Sequence, residues 1–238
     1  MLFLLSGEGP TDIGMTVAGE GGEFFTVGPL ALVVDSMIER VIGYSPLGLG
    51  YFKHISRSEL ARIAKNSTSK PAIIIPGVKR PAGNAGDYRQ AFALASKALE
   101  LEGEEGDAVT VVLFRDSDGT NSDDPRKWEN LISAIEAAFN AVGLRRGVAM
   151  IAKPKQEAWF MCALKEHAYQ ACGALEDESG NDNSPNSLKA QMQVALGANC
   201  DTETLIQWIE NGGFDHARVD MPSFNRFRES LTRALAVT

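Results

Sequence analysis

The sequence is short of cysteine, of long apolar runs and of basic charge, and each shortage excludes something. Three cysteines occur in 238 residues, Cys162, Cys172 and Cys200, with no Cys-x-x-Cys pair. That excludes a disulfide scaffold and a cysteine-rich zinc module and suits a reducing cytosol. No apolar run reaches the roughly 18–20 residues needed to span a bilayer. The apolar start, Met1 to Leu5, is too short for a signal peptide and lacks a basic flank, so a cytoplasmic protein without membrane contact is expected. Lys and Arg number 23 against 31 Asp and Glu, a net charge of −8. Whole-molecule attraction to nucleic acid is therefore not expected, and only a local basic patch could supply it. Internal repeats and low-complexity segments are absent. What is present is ordinary globular material, 44% hydrophobic and 23% charged, in a length that suits one large domain or one domain with an elaboration.

Apolar segments alternate with helical stripes along the first two thirds. Leu2 to Ser6 reads as a strand and ends at Gly7-Glu8-Gly9-Pro10. The glycine-rich residues 14 to 28 read as a loop or irregular excursion. Leu30, Val33, Val34, Ile38 and Val41 recur at helical spacing, and Ser56-Arg57-Ser58-Glu59 fits a capping box before Leu60 and Ile63. Ala72 to Ile75 is a short apolar run that suits a buried strand. Tyr88, Phe92, Ala95 and Leu99 mark a helix that stops within Glu102 to Gly106. Ala108 to Phe114 is the clearest strand, β-branched and bounded by charge. Asp124 and Pro125 suit the start of a helix with Trp128, Leu131, Ile135, Phe139 and Val142 on its buried stripe and Gly143 at its end. Gly147 to Ala152 is a further strand, and Pro154 leads into a helix over 156–171. Strands alternating with helices predict an α/β fold with a parallel sheet. Residues 176 to 187 read as a mobile polar loop, followed by short helices near 188–196, 202–210 and 223–236.

Two acidic turns carry the candidate chemistry, each where an apolar strand ends. One is Glu8-Gly9-Pro10-Thr11-Asp12 and the other Asp116-Ser117-Asp118-Gly119. Ligand sites in open parallel sheets gather at the carboxyl ends of strands. If strands 2–6 and 108–114 are neighbours, Glu8, Asp12, Asp116 and Asp118 converge. Packed carboxylates repel one another, and a divalent cation is the simplest way to keep them ionised. Oxygen-only ligands favour Mg²⁺ or Mn²⁺ over Zn²⁺, and such an ion serves phosphodiester hydrolysis. The bland reading is turn chemistry for Asp-Ser-Asp-Gly and a helix cap for Asp12.

An apolar strand running into Glu8-Gly9-Pro10-Thr11-Asp12, then a strand running into Asp116-Ser117-Asp118, resembles a TOPRIM domain. The likeness covers roughly residues 1 to 165 and is closest to the stand-alone, OLD-like TOPRIM nucleases that accompany ATPases in bacterial anti-phage systems. Pro154-Lys155-Gln156-Glu157-Ala158-Trp159 resembles a later segment of that branch. The short C-terminal helices read as a helical appendage over 173–238, and the resemblance implies a TOPRIM-like, Rossmann-like α/β domain over 1–172 with an insertion near 14–70. It implies a Mg²⁺- or Mn²⁺-dependent nuclease acting on DNA or RNA as the effector of a defence system with an ATPase partner. Glu8, Asp116 and Asp118 would be catalytic, and Glu8, Asp12, Asp116, Asp118 and Glu157 would hold metal. The separation of the two acidic motifs is long for a minimal TOPRIM domain, which is why an insertion is expected.

Weaker signals surround these. Lys79, Arg80, Lys153 and Lys155 follow predicted strands and suit phosphate contact, or are ordinary solvated pairs. His54 suits catalysis or phosphate contact, or simple capping. Arg218, Arg226, Arg228 and Arg233 give the tail local positive charge that suits nucleic acid or a solvated helix face. Asp116-x-Asp118 also matches the haloacid-dehalogenase phosphatase pattern, which leaves the Glu8–Asp12 turn unexplained. A non-catalytic binding or sensor subunit on the same fold is the other alternative.

Overall fold

The computed structural model describes residues 1–19, 22–66, 84–118, 126–197 and 199–237. In chain order the elements begin with strand β1 (Leu2–Ser6), strands β2 (Gly14–Gly19) and β3 (Gly22–Val27), helix α1 (Pro29–Ile42) and strand β4 (Phe52–His54). Helices α2 (Arg57–Asn66) and α3 (Ala85–Glu105) precede strand β5 (Val109–Asp116), helix α4 (Lys127–Val142) and strand β6 (Gly147–Ala152). Helix α5 (Gln156–Leu164), a short 3-10 turn (Cys172–Asp177) and helices α6 (Leu188–Leu196), α7 (Thr202–Glu210) and α8 (Pro222–Leu235) complete the described chain.

Every residue of β1 is buried, the pattern of a strand covered on both faces. It lies in a parallel four-stranded sheet of order β4-β1-β5-β6. The expected neighbours pair directly, Leu2 opposite Val109 through Ser6 opposite Leu113. Side chains alternate between two cores, as a pleated strand requires. Phe3, Leu5, Val112, Phe114, Val148 and Met150 join the core that includes α1, α5 and α8. Leu2, Leu4, Val111, Leu113, Ala149 and Ile151 join the core that includes α2, α3 and α4. The fold is thus α/β, a parallel sheet flanked by helices.

Four particulars differ from the sequence reading. The glycine-rich excursion over 14–28 is an antiparallel hairpin, β2 against β3, with Gly14 opposite Val27. Its glycines serve close approach: Gly14 has φ +104°, and a Cβ there would meet Thr26 O at 2.1 Å. The helix expected over 156–171 ends at Leu164, because Lys165 is extended and Tyr169 and Ala171 take positive φ. Tyr169 N donates to Cys162 O at 2.7 Å, and Cys162 is disulfide-bonded to Cys172, which removes the cysteine argument for a reducing compartment. The loop expected over 176–187 begins with a buried Glu176 that accepts a hydrogen bond from Ser223 N at 2.7 Å.

The C-terminal helices sit where expected, but α8 belongs to the main core. Phe224 and Phe227 pack on the fully buried Trp159 at ring-centroid distances of 5.1 and 6.0 Å, and Trp159 Nε1 donates to Ser223 Oγ at 2.8 Å. Buried residues of α6, α7 and α8 thus join the core on one face of the sheet. Among the described residues no helix is long and apolar enough to cross a membrane. The expected strand Ala72 to Ile75, Lys79, Arg80 and the Asp124-Pro125 helix start lie outside the described residues.

Candidate functional site

After β1 the chain crosses to β4 on one side, then returns to β5 on the other. The β1/β5 junction is therefore the topological switch point, where an open parallel sheet leaves a crevice. The two acidic turns leave the sheet there.

Gln156 joins them. Its side-chain Nε2 donates to Asp12 Oδ1 at 2.9 Å, and its backbone N donates to Asp116 Oδ1 at 2.9 Å. The second contact comes from the first turn of α5, where the helix dipole favours an anion. Asp12 is buried and also accepts from Gly9 N at 2.9 Å and Thr11 Oγ1 at 3.3 Å. Its backbone is fixed by the hairpin's return, since Leu30 N donates to Asp12 O at 3.0 Å. Glu157 follows Gln156, and its Oε2 is enclosed without a hydrogen-bond partner, as is Gln156 Oε1. Glu8 lies 3.4 Å from Arg57. Asp118 takes a left-handed backbone, φ 47°. Its exposed carboxylate lies 3.5 Å from Lys155, which also reaches Asp182 at 2.9 Å. Asp118 thus stands at the rim while Glu8, Asp12, Asp116 and Glu157 lie further in.

Burial raises the pKa of all four inner carboxyls. Asp116 is pushed well above the usual range, first by burial, then by Glu157, with Glu8 and Asp12 adding to it against the Gln156 hydrogen bond. Arg57 and Arg115 pull Glu8 back down, and the Gly9, Gln156 and Thr11 hydrogen bonds do the same for Asp12. The Glu157 backbone N–H and then Lys155 oppose the rise at Glu157. Arg115 itself is buried, donates to Gln90 Oε1 at 2.6 Å and lies 3.7 Å from Asp87. Burial, then the Arg57 charge, lower it to about 10.

The donor set fits a hard divalent cation: oxygen ligands only, mutual repulsion, and an enclosed carboxylate oxygen without a partner. Among the described residues no three His, Cys, Asp or Glu side chains already form a ligand group. Asp12 and Asp116 hold hydrogen bonds to Gln156 instead, and Glu8 pairs with Arg57.

Comparison with protein-family models, with curated proteins and with solved structures finds no match.

Of the weaker candidates, Lys155 joins the acidic rim, whereas Lys153 pairs with Asp177 at 3.7 Å. His54 lines a cleft beside Glu8, and burial lowers its pKa against the pull of Glu59. Three of the four tail arginines are used within the chain. Arg226 pairs with Glu136 at 2.8 Å, Arg228 donates to the carbonyls of His216 and Val219, and Arg218 lies 4.2 Å over the Tyr169 ring. Sequence reasoning missed Gln156, Arg57 and Arg115. Arg115 had a signal, a lone charge inside an apolar strand. Gln156 had only its place beside Glu157.

Proposed function

We propose that the chain is a Mg²⁺- or Mn²⁺-dependent nuclease of TOPRIM-like architecture, resembling the OLD-like nucleases. The observation that carries the reading is the group of four partly or wholly buried carboxyls at the switch point, each raised first by burial, with Glu157 Oε2 unpartnered. Asp116 and Glu157 would hold the ion, with Glu8 and Asp12 beside them and Asp118 at the rim. A bound ion there polarises a phosphodiester and lowers the pKa of an attacking water. Glu8, the inner acid whose pKa is raised yet which lines the open cleft, is suited to move a proton at the reacting oxygen. Gln156 orients Asp12 and Asp116, and Lys155 places positive charge at the rim. The net charge of −8 suits an effector brought to nucleic acid by a partner, an ATPase in the reading given by the resemblance.

The test is cleavage of plasmid, single-stranded DNA and transfer RNA in Mg²⁺ or Mn²⁺. Wild type should cleave at least one, and Glu8→Gln and Asp116→Ala should abolish it. Absence of a ready-made three-residue ligand group among the described residues favours a second reading, a non-catalytic binding subunit. It would show no cleavage and no Asp116-dependent Mn²⁺ binding. Turnover of para-nitrophenyl phosphate that survives Glu8→Gln would point to the phosphatase alternative.

A further inference from the structure

The acidic turn lines a cleft of about 820 Å³, the size of a ligand pocket. Glu8 lines it from one acidic turn, and Arg57, His54, Ser56 and Gln90 line it from β4, α2 and α3. The start of the ten-residue α2 adds the partial positive charge of a helix N-terminus. Glu59 also lines the cleft but is engaged by Arg62 at 3.4 Å.

Two cations face or back this cleft, each with a carboxylate near it: Arg57 with Glu8 at 3.4 Å, and Arg115 with Asp87 at 3.7 Å from its Nε. Arg57 is exposed, with Glu8 at 3.4 Å as its one ion-pair carboxylate among the described residues. Behind the lining, Arg115 is 1% exposed, bonds to the cleft residue Gln90, and has no hydrogen-bond partner at Nε. Glu8 and Arg57 both line the cleft, so a ligand entering it meets this ion pair. A phosphodiester offers one negative charge and two oxygens that match the guanidinium fork, and it comes from the open side of the cleft.

We propose that this cleft holds the nucleic-acid strand, with Arg57 exchanging Glu8 for a backbone phosphate while buried Arg115, through Gln90, holds the wall in place. The inference rests on the nuclease reading and adds to it a strand-binding surface. Arg57 is then a binding residue, and Arg115 and Gln90 are positioning residues. Strand binding also releases Glu8 from its ion pair, next to the carboxyls that would hold the ion, so the acid is freed only when substrate is present.

The experiment measures anisotropy of a labelled single strand of roughly 12 nucleotides, within the site sizes of single-strand binders, as DNA and as RNA, with Ca²⁺ in place of Mg²⁺. Arg57→Ala should weaken binding about tenfold for every sequence and lower the salt slope by about one. Arg57→Lys should keep the slope. Glu8→Gln should tighten binding about two- to fivefold when Arg57 is present and much less with Arg57→Ala, because the two act on one contact. Binding unchanged by Arg57→Ala, equal tightening by Glu8→Gln in both backgrounds, or no wild-type binding overturns the proposal. Plasmid cleavage measured alongside separates the two readings. Cleavage that is unaffected by Arg57→Ala leaves the nuclease standing and the cleft wrong. Arg57-dependent binding without wild-type cleavage leaves the cleft standing and the nuclease wrong.

Discussion

Glu157→Gln removes a charge without changing shape, at the position where the site is least compensated. Glu157 Oε2 is enclosed without a partner, and the neighbouring Asp116 is raised by it. An enclosed polar group left unmade costs about 1–3 kcal/mol, more when charged. The glutamine amide still lacks a partner at that spot, so only the charge part is recovered. The metal-free variant should therefore be more stable than wild type by about 1–2 kcal/mol near neutral pH. At 2–4 °C per kcal/mol for a chain of this size, Tm should rise by about 2–8 °C.

The same substitution should invert the order once an ion is present. In EDTA the variant melts higher. In Mn²⁺ at about 100 Kd the wild type gains about 2.7 kcal/mol by mass action, and the variant gains little. The pH dependence has a definite sign. Glu157 and Asp116 have raised values when folded, so the folded chain binds protons more tightly than the unfolded one. Their stabilising contribution is complete below the ordinary carboxyl values of 3.8 and 4.5 and is lost as pH rises through the folded values. The advantage of Glu157→Gln should therefore shrink as pH falls from neutral toward 4.5. Scanning calorimetry in EDTA and in Mn²⁺ reads all of this. A variant no more stable than wild type in EDTA, with an equal response to Mn²⁺, would refute the reasoning.

Three further predictions follow from single contacts. A Cβ on Gly28 would meet Asp12 O and Gly14 N at 2.5 Å, both backbone atoms. Gly28→Ala should cost about 1–3 kcal/mol in urea unfolding and reduce cleavage further by displacing the Asp12 turn; wild-type behaviour in both assays would count against the hairpin's role. Gln156→Ala removes the donor to Asp12 while leaving the backbone contact to Asp116, and should weaken Mn²⁺ binding about 10- to 100-fold in titration calorimetry; unchanged affinity would dismiss Gln156 as an orienting residue. Burial raises Glu176 more than its Ser223 hydrogen bonds lower it, so its contribution to stability is full below 4.5 and falls as pH rises. Glu176→Gln, which keeps an oxygen for Ser223 N, should add up to about 1 kcal/mol at neutral pH and nothing in acid, as urea midpoints across pH would show.

What was legible in the sequence was whatever is local and apolar. Leu2 to Leu5 and Val111 to Phe114 are uninterrupted apolar runs, and runs buried on both faces belong in the middle of a parallel sheet. That places their two acidic turns together without any coordinate. The short C-terminal helices were placed near their observed positions, and two of them begin at side-chain caps: Ser187 accepts from Ala190 N at 3.2 Å and Asp201 from Thr204 N at 2.9 Å. Their packing was not legible, because Trp159 meets Phe224 across 65 residues and no local pattern reports that. The hairpin over 14–27 was hidden for a different reason. Gly14 and Gly28 read as chain breakers, and only the structure shows them admitting backbone where no side chain fits. Gln156 was hidden because it carries no charge, although it holds two of the candidate acids. The Cys162–Cys172 bond spans ten residues without a motif, so a cysteine count alone discourages looking for it.

The case for a ligand at this site rests on what folding would not select for. A chain needing only stability would replace an enclosed, unpartnered carboxylate with an apolar or amide side chain at no loss. Here four acids gather at the strand ends, one of them, Glu157, with an enclosed and unpartnered oxygen, and the chain supplies Gln156, a few backbone N–H groups and the more distant charges of Lys155, Arg57 and Arg115 against them. The two sides of the site then share one residue. Glu8 is counted among the acids and is also the ion-pair partner of Arg57 in the cleft. A phosphodiester with a divalent cation would suit both, since the cation would satisfy the carboxyls and the phosphate would take the place of Glu8 at Arg57. Neither a cation alone nor an anion alone does so. That complementarity is the reason to test ion and strand together rather than in turn.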